Sequence, residues 1–365
     1  MEPWLRLGAA TLVPVEQVPA PGIRSRVRLG LSLGYWGSGP PADAGSLVAE
    51  AERLGFDSIW TAEAYGSDAL TPLAWWGSAT SKVRLGTAVA QMHARAPTTT
   101  AMAVATLDHL SQGRVVLGLG ASGPQVVEGW YGARFSPQLQ STREYFQIVR
   151  EVLHRERPLA FSGERYHLPL PDSQGKELRL TVHPLRAEVP IWLGAEGPRN
   201  IALAGEIADG WLAGFHAPLR DQWQRDALQE GFSRREPQGP APGFEIAANL
   251  PLVVAGSAED AADRLRPLIA LYVGGMGSRR HNFHFDLFCR MGFQVEAERV
   301  RELYLGGDIQ AAAKAVPLAM VEAVGLVGPR AKIEEEAVLW QQGLPTLLLV
   351  SGPVENLRLA AELFL

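Results

Sequence analysis

The amino-acid sequence predicts an α/β fold built from repeated strand–helix units, and three observations carry that reading. Short, almost wholly apolar runs recur along the chain, as expected of strands covered on both faces. A helical pattern follows nearly every run, supplying the crossover that parallel strands require. With 365 residues, 47% of them hydrophobic, the chain can bury a large core and exceeds a typical single domain. A doubly wound sheet and a closed eight-stranded barrel both satisfy the alternation, and the repeat pattern favours one barrel with insertions over two domains.

Residues 1–26 contain Pro3, Pro14, Pro19 and Pro21 without sustained periodicity, and read as an N-terminal extension. The folded pattern occupies 27–365. Val27–Gly34 is a first strand, and Ala42–Leu54 a helix stopped by Gly55. Asp57–Thr61 is a second strand, followed by a helix over Leu70–Thr80. Val83–Val89 is a third. The stretch Ala101–Gly123 holds a whole unit: a helix with Met102, Leu107 and Leu110 at helical spacing, a stop at Ser111-Gln112-Gly113, a buried strand through Val115–Leu119, and the loop Gly120-Ala121-Ser122-Gly123. Gly at such a stop accepts the left-handed backbone of a C-terminal cap. Arg143–His154 is the next helix. Turn-rich sequence over Phe161–His183 then interrupts the rhythm before the fifth strand, Val189–Leu193.

Gly194-Ala195-Glu196-Gly197-Pro198 forms a second glycine-rich loop, and Asn200–Ile207 continues as helix. Gly210–Ala213 is the sixth strand, Phe244–Val254 contains the seventh, and Thr346–Val350 is the eighth, closed by a helix over Glu355–Leu365. About ninety residues separate the last two strands where one helix would suffice. Ala258–Val273 and Ala331–Gln341 are helical there, and 274–326 reads as an insertion rich in helix formers. On the active-site side of a barrel, such an insertion becomes a lid or a substrate wall.

Composition narrows the function. The formal charge is −5 and no basic run exceeds Ser278-Arg279-Arg280-His281, so no electrostatic case exists for nucleic acid. The single cysteine, Cys289, excludes an internal disulfide framework and a thiolate metal cluster. No apolar run approaches the roughly 18 residues of a membrane span, and the N-terminus lacks the order of a signal peptide. A soluble protein of the cytoplasm is the expectation. The eight histidines are scattered. Only His281 and His284 are close enough to share a helical face, and no third metal ligand accompanies them.

Five strand ends look chemically prepared. They carry Tyr35-Trp36-Gly37, Glu63-Ala64-Tyr65, Gln91-Met92-His93 and the two glycine-rich loops. Aromatic walls, one carboxylate and loops whose backbone N–H groups can be approached closely suit a planar heteroaromatic cofactor with a phosphorylated tail. The simpler alternative is that the aromatics merely cap one end of the barrel.

Ala105-Thr106-Leu107-Asp108-His109-Leu110-Ser111 with Gly113-Arg114, leading into Leu117-Gly118-Leu119-Gly120, resembles a signature of the bacterial luciferase-like flavin and deazaflavin oxidoreductases. Ile191-Trp192-Leu193-Gly194-Ala195-Glu196-Gly197-Pro198 with Ala208-Asp209-Gly210-Trp211 is similar to a second, in the form seen in methylenetetrahydromethanopterin reductase. Val324-Gly325-Leu326-Val327-Gly328-Pro329 is similar to a third. The resemblance covers Val27 to the C-terminus. It implies a (β/α)8 TIM barrel with a helical insertion between the seventh and eighth strands, binding FMN or coenzyme F420, an 8-hydroxy-5-deazaflavin. Trp60-Thr61-Ala62-Glu63-Ala64-Tyr65 and Gly118-Leu119-Gly120 through Trp130 look like the actinobacterial deazaflavin-dependent branch. The family's non-proline cis peptide, a bulge behind the ring, would fall at Ala88-Val89.

The resemblance further implies that Gly120, Ala121, Ser122, Gly123, Gly194, Ala195, Glu196 and Gly197 hold the cofactor through backbone contacts. Glu63 would bond the ring's polar rim or handle a proton, with Gln91 beside it. Trp36, His93 and Trp130 would shape a pocket for a small-molecule substrate. Relatives commonly form homodimers. Three features of relatives are missing: a His after the second strand, an acid after the fourth, and a Lys after the sixth, where this chain reads Gly214-Phe215-His216-Ala217. Arg279 or Arg280 is the expected substitute cation. Hydride transfer to or from the deazaflavin is the first functional expectation, an FMN-dependent two-component monooxygenase the second, and a cofactor-binding paralogue without turnover the third.

Overall fold

The computed structural model describes residues 27–135, 138–277 and 282–365. Eight parallel strands form its centre: Arg28–Gly34, Ser58–Thr61, Arg84–Thr87, Val115–Gly120, Ile191–Gly194, Gly210–Ala213, Glu245–Leu250 and Leu347–Val350. The first strand pairs with the second (Gly30 opposite Ser58) and with the eighth (Arg28 opposite Leu347). Pairing then runs from the eighth through the seventh, sixth and fifth to the fourth. The sheet closes where Leu85 and Gly86 of the third strand meet Val115 and Val116 of the fourth. This is a TIM barrel, and its closure removes every exposed sheet edge.

Two indoles fill the barrel's interior. Trp60 and Trp192 are fully buried with ring centroids 5.1 Å apart, and Trp60 Nε1 donates to Ser58 Oγ at 2.8 Å. Glycines on neighbouring strands make the room. A Cβ on Gly86 would lie 2.3 Å from the Trp60 ring, and one on Gly210 would lie 2.7 Å from the Trp192 ring.

Most helices stand where the periodicity places them, and the differences have physical causes. Gly55 and Gly113 stop their helices at φ 85°. The helix expected over Arg143–His154 begins at Gln138. The helix Gln222–Arg234 has no clear apolar stripe to reveal it in the sequence. It docks on the helix Pro198–Ile207 through close backbone approach, since a Cβ on Gly231 would lie 2.0 Å from the Ala202 carbonyl oxygen. The stretch containing the seventh strand is divided by Pro251, which has no N–H for a ladder. Beyond it, Leu252–Val254 leaves the barrel and pairs with Leu326–Gly328.

Between the seventh and eighth strands, helices Phe283–Arg290, Gln294–Leu305, Ile309–Lys314 and Leu318–Glu322 gather around a separate apolar cluster that includes Phe288, Val300, Ala312 and Met320. No helix among the described residues is long and apolar enough to cross a membrane.

Candidate active site

The third strand does not end smoothly. Its ladder with the fourth strand is held by Gly86 opposite Val116 and resumes at Ala90 opposite Leu119. Four steps therefore face three, so one residue is extra, and the chain bulges at the Ala88-Val89 peptide, which is cis. The Thr87 hydroxyl fills the gap by donating to the Gly118 carbonyl at 2.7 Å and accepting from the Gly118 N–H at 2.9 Å. The bulge directs the Val89 side chain across the barrel mouth. A Cβ on Gly120 would come within 2.5 Å of Val89 Cγ2, and one on Gly194 within 2.7 Å of Cγ1. The leading glycine of each glycine-rich loop thus makes room for Val89, whereas a Cβ on Gly123 would meet only Gln125 Oε1, at 3.6 Å, and Gly197 faces open space.

Around this apolar platform stand polar groups. Glu63, at the end of the second strand, donates its N–H to the Val89 carbonyl at 3.0 Å. Its carboxylate accepts from both terminal Arg95 guanidinium nitrogens, at 2.6 and 2.9 Å, and from the Gln91 N–H at 2.7 Å. Gln91 Nε2 returns a hydrogen bond to the Glu63 carbonyl at 2.9 Å. With a side chain only 3% exposed, Glu63 is a desolvated, fully partnered anion clamping the bulge. Gln91 Oε1 and His93 Nδ1, in contrast, are buried without a hydrogen-bond partner among the described residues. Burial pushes the His93 imidazole below its ordinary range, against a hydrogen bond to the Ala121 backbone. Ser122 in the same loop has φ 61°.

The fifth-strand loop faces the insertion. Glu196 Oε2 stands 2.7 Å from His284 Nδ1, off the line that would make an aligned hydrogen bond, and among the described residues both atoms are otherwise unpartnered. The other carboxylate oxygen lies over Gly214, where a Cβ would approach it to 2.3 Å. A lysine at 214 would displace Glu196. Tyr272 packs on His284 with ring centroids 4.5 Å apart, and Phe215 meets Tyr272 edge-on at 5.2 Å. Burial, reinforced by Tyr35 and then Glu196, drives the Tyr272 phenol well above its ordinary range.

Trp36 and Trp130, expected to shape one substrate pocket, pack on different partners. Trp75 is 76% exposed on an outer helix. Trp36 packs on Trp76 at 6.2 Å. Trp130 pairs instead with Tyr65 at 6.4 Å, and both are open to solvent, at 63% and 67%. Arg279, Arg280 and His281 lie outside the described residues. Among the described residues no group of His, Cys, Asp and Glu could hold a metal ion. His216, after the sixth strand, is fully buried and bonds Gln224 Oε1 at 3.0 Å.

Sequence reasoning overlooks Arg95, although a buried carboxylate demands a cation within reach, and Arg95 follows His93 by two positions. It also treats His284 only as half of a metal pair. Its partner, Glu196, is distant in sequence, and nothing local announces the contact.

A ring-shaped cofactor fits these residues. Val89 offers an apolar face, Gln91 Oε1 and His93 Nδ1 are orphaned polar atoms among the described residues, and the loop at Gly197 leaves open space.

Comparison with known proteins agrees with the architecture. The family model for luciferase-like monooxygenases matches residues 24–346. A Mycobacterium tuberculosis protein named as a coenzyme F420-dependent oxidoreductase is 47% identical over 92% of this chain and 99% of its own length. The 5,10-methylenetetrahydromethanopterin reductase of Archaeoglobus fulgidus is 26% identical over 84% of this chain and 88% of its own. The solved structure of the coenzyme F420-dependent tetrahydromethanopterin reductase from Methanopyrus kandleri superposes with a TM-score of 0.76 at 22% identity, covering 93% of this chain and 98% of that one.

Proposed function

Because this chain belongs to the luciferase-like monooxygenase family, we propose that it is a coenzyme F420-dependent oxidoreductase that transfers hydride between the deazaflavin and a small organic substrate. The observation that carries the reading is the Val89 platform. A side chain set across the barrel mouth, with glycine required at the ends of the fourth and fifth strands, is a shaped seat for a flat ring. The name of the 47% identical relative supports the choice of deazaflavin over FMN. When bound, the deazaflavin supplies a carbon that gives or accepts hydride and reacts poorly with oxygen.

The chain's own residues bind and orient it. Ala88 and Val89 support one ring face. Gly120 through Gly123 and Gly194 through Gly197 line its edge and tail, and Arg279 is assigned to the tail phosphate. Gln91 Oε1 and His93 Nδ1 supply the polar contacts that their present burial leaves unmet. Glu63, neutralised by Arg95, keeps the bulge in register beneath them. Trp36 and, apart from it, the solvent-facing Tyr65–Trp130 pair flank the entrance for the substrate.

The test is fluorescence-quenching titration of cofactor-free protein with oxidised F420 and, separately, with FMN. Selective saturable quenching by F420 is the expected result. Selective FMN binding with reduced-FMN-dependent oxygen consumption would replace this reading with a monooxygenase. Binding of neither would remove the cofactor assignment.

A further inference from the structure

The bulge at Ala88-Val89 is tied to a helix on the outside of the barrel. Arg95 lies between the one-turn helix Met92–Ala94 and the helix Pro97–Leu110, its backbone extended at φ −155° and ψ 155°. Its guanidinium holds the Glu63 carboxylate. Its carbonyl oxygen is held from the other side by Tyr145, whose hydroxyl donates to it at 3.2 Å. Tyr145 stands on the helix Gln138–His154 and is fully buried. Thr100 Oγ1 lies 2.6 Å from the same hydroxyl. Because that hydroxyl gives its one proton to Arg95, Thr100 is the donor of this second bond. Burial drives the Tyr145 phenol well above its ordinary range, so it stays a donor across the physiological pH range. The helix is itself a fixed post. Glu144, next to Tyr145, accepts the N–H groups of Glu164, Arg165 and Tyr166 at 2.8, 2.8 and 3.1 Å, and the Tyr166 ring meets the Tyr145 ring edge-on with centroids 6.1 Å apart.

We infer that Tyr145 is a positioning residue for the cofactor seat: acting through Arg95 and Glu63, it fixes where the bulge places Val89 and so sets how tightly the ring is held. The inference rests on the deazaflavin reading above and gives Tyr145 no part in the chemistry. The connection is continuous. From Thr100 it runs through the Tyr145 hydroxyl to the Arg95 carbonyl, and from the Arg95 guanidinium through the Glu63 carboxylate to the Gln91 N–H. The Glu63 N–H closes it on the Val89 carbonyl. Without the hydroxyl, the Arg95 carbonyl and the Thr100 hydroxyl each lose a partner, and a buried polar group without one is costly. Arg95 then settles away from the position that its two bonds to Glu63 require. The seat loosens, while the barrel, set by its strand ladders, persists. A binding site keeps its geometry only where such supporting bonds lock the residues beneath it.

The experiment is fluorescence-quenching titration of full-length protein with oxidised F420, beside a denaturant titration of each variant. Tyr145→Phe keeps the ring and removes the hydroxyl. It is expected to weaken F420 binding about 10-fold, the scale of one buried hydrogen bond lost with its partners left unmet. Tyr166→Phe, the same change on the neighbouring ring, should leave the affinity unchanged. Thr100→Val should weaken binding about 3-fold, and Thr100→Ser, which keeps the hydroxyl, should retain the wild-type affinity. In protein carrying Arg95→Met with Glu63→Gln, which removes both charges together, Tyr145→Phe should change F420 affinity by less than about 2-fold, because the connection it acts through is gone. Wild-type affinity in Tyr145→Phe, whatever its stability, would overturn the inference. So would an equal loss in Tyr166→Phe, or an undiminished effect of Tyr145→Phe in the doubly substituted background. Failure of wild-type protein to bind F420 at all would instead sink the reading on which the inference rests. If Tyr145→Phe does not fold, the contrast between Thr100→Val and Thr100→Ser decides.

Discussion

The two ends of the barrel handle charge in opposite ways. At the end where the strands begin, Arg28, Asp57, Arg84 and Glu245 form a closed network. Arg28 reaches Asp57 at 3.0 Å and also bonds Glu245, and Arg84 reaches Glu245 at 2.8 Å and also bonds Asp57. Two cations meet two anions, each pairing with both opposites, and the Arg84 guanidinium lies 5.7 Å from the Trp192 ring centroid. At the end where the strands finish, Glu63 and Arg95 are matched, but Gln91 Oε1, His93 Nδ1 and the Glu196–His284 contact are not brought to full hydrogen bonding. Buried polar atoms are normally satisfied because desolvation without a partner is costly. One end spends its polar groups on closing the barrel, and the other keeps some unspent. The unspent end is where conserving the fold and binding a ligand make different demands.

Substitutions at each end test this contrast. The largest expected effect is at the one fully satisfied pair of the functional end. Glu63→Ala leaves Arg95 buried without its partner and should cost about 3–5 kcal/mol in a denaturant titration. An intact unfolding midpoint with lost turnover would move Glu63 from support to chemistry.

Next is His216, whose imidazole burial holds down at about 4. Its folded value lies below its unfolded one, so the unfolded chain takes the proton first as pH falls. Stability from this group is full above about pH 6.5 and is lost on going down to about pH 4, by about 3 kcal/mol at 1.36 kcal/mol per unit. His216→Gln should flatten that part of the stability profile, and an unchanged slope would assign the acid sensitivity to other groups. In the barrel interior, Gly86→Ala forces a methyl against Trp60 and should cost about 2 kcal/mol by overpacking. The smallest effect is at the rim of the closed network. Arg28→Ala removes a side chain 35% exposed and should cost about 1 kcal/mol, less at high salt. A salt-independent loss would show that the network is sealed from solvent more fully than its exposure indicates.

Local patterns in the sequence carry the barrel well. The apolar run Val115–Leu119, the stop at Gly113 and the final strand Leu347–Val350 are set by their own neighbours, so period and punctuation reveal them. The helix Gln222–Arg234 escapes because its docking depends on Gly205 and Gly231 meeting across two elements. The site was legible as a set of strand ends and glycine-rich loops, but the reason for its glycines was not. Gly120 and Gly194 answer to Val89, a residue on another strand whose direction only the bulge determines. Glu196 and His284 meet across a long stretch of chain, and no spacing rule connects them. Pairings made by tertiary contact leave no local mark.

The most direct test of the account is the crystal structure of this protein saturated with oxidised F420. The account predicts the tricyclic ring lying against Val89 between Gly120 and Gly194, with Gln91 Oε1 and His93 Nδ1 bonded to its edge. A ring seated elsewhere, with those two atoms still unpartnered, would contradict it.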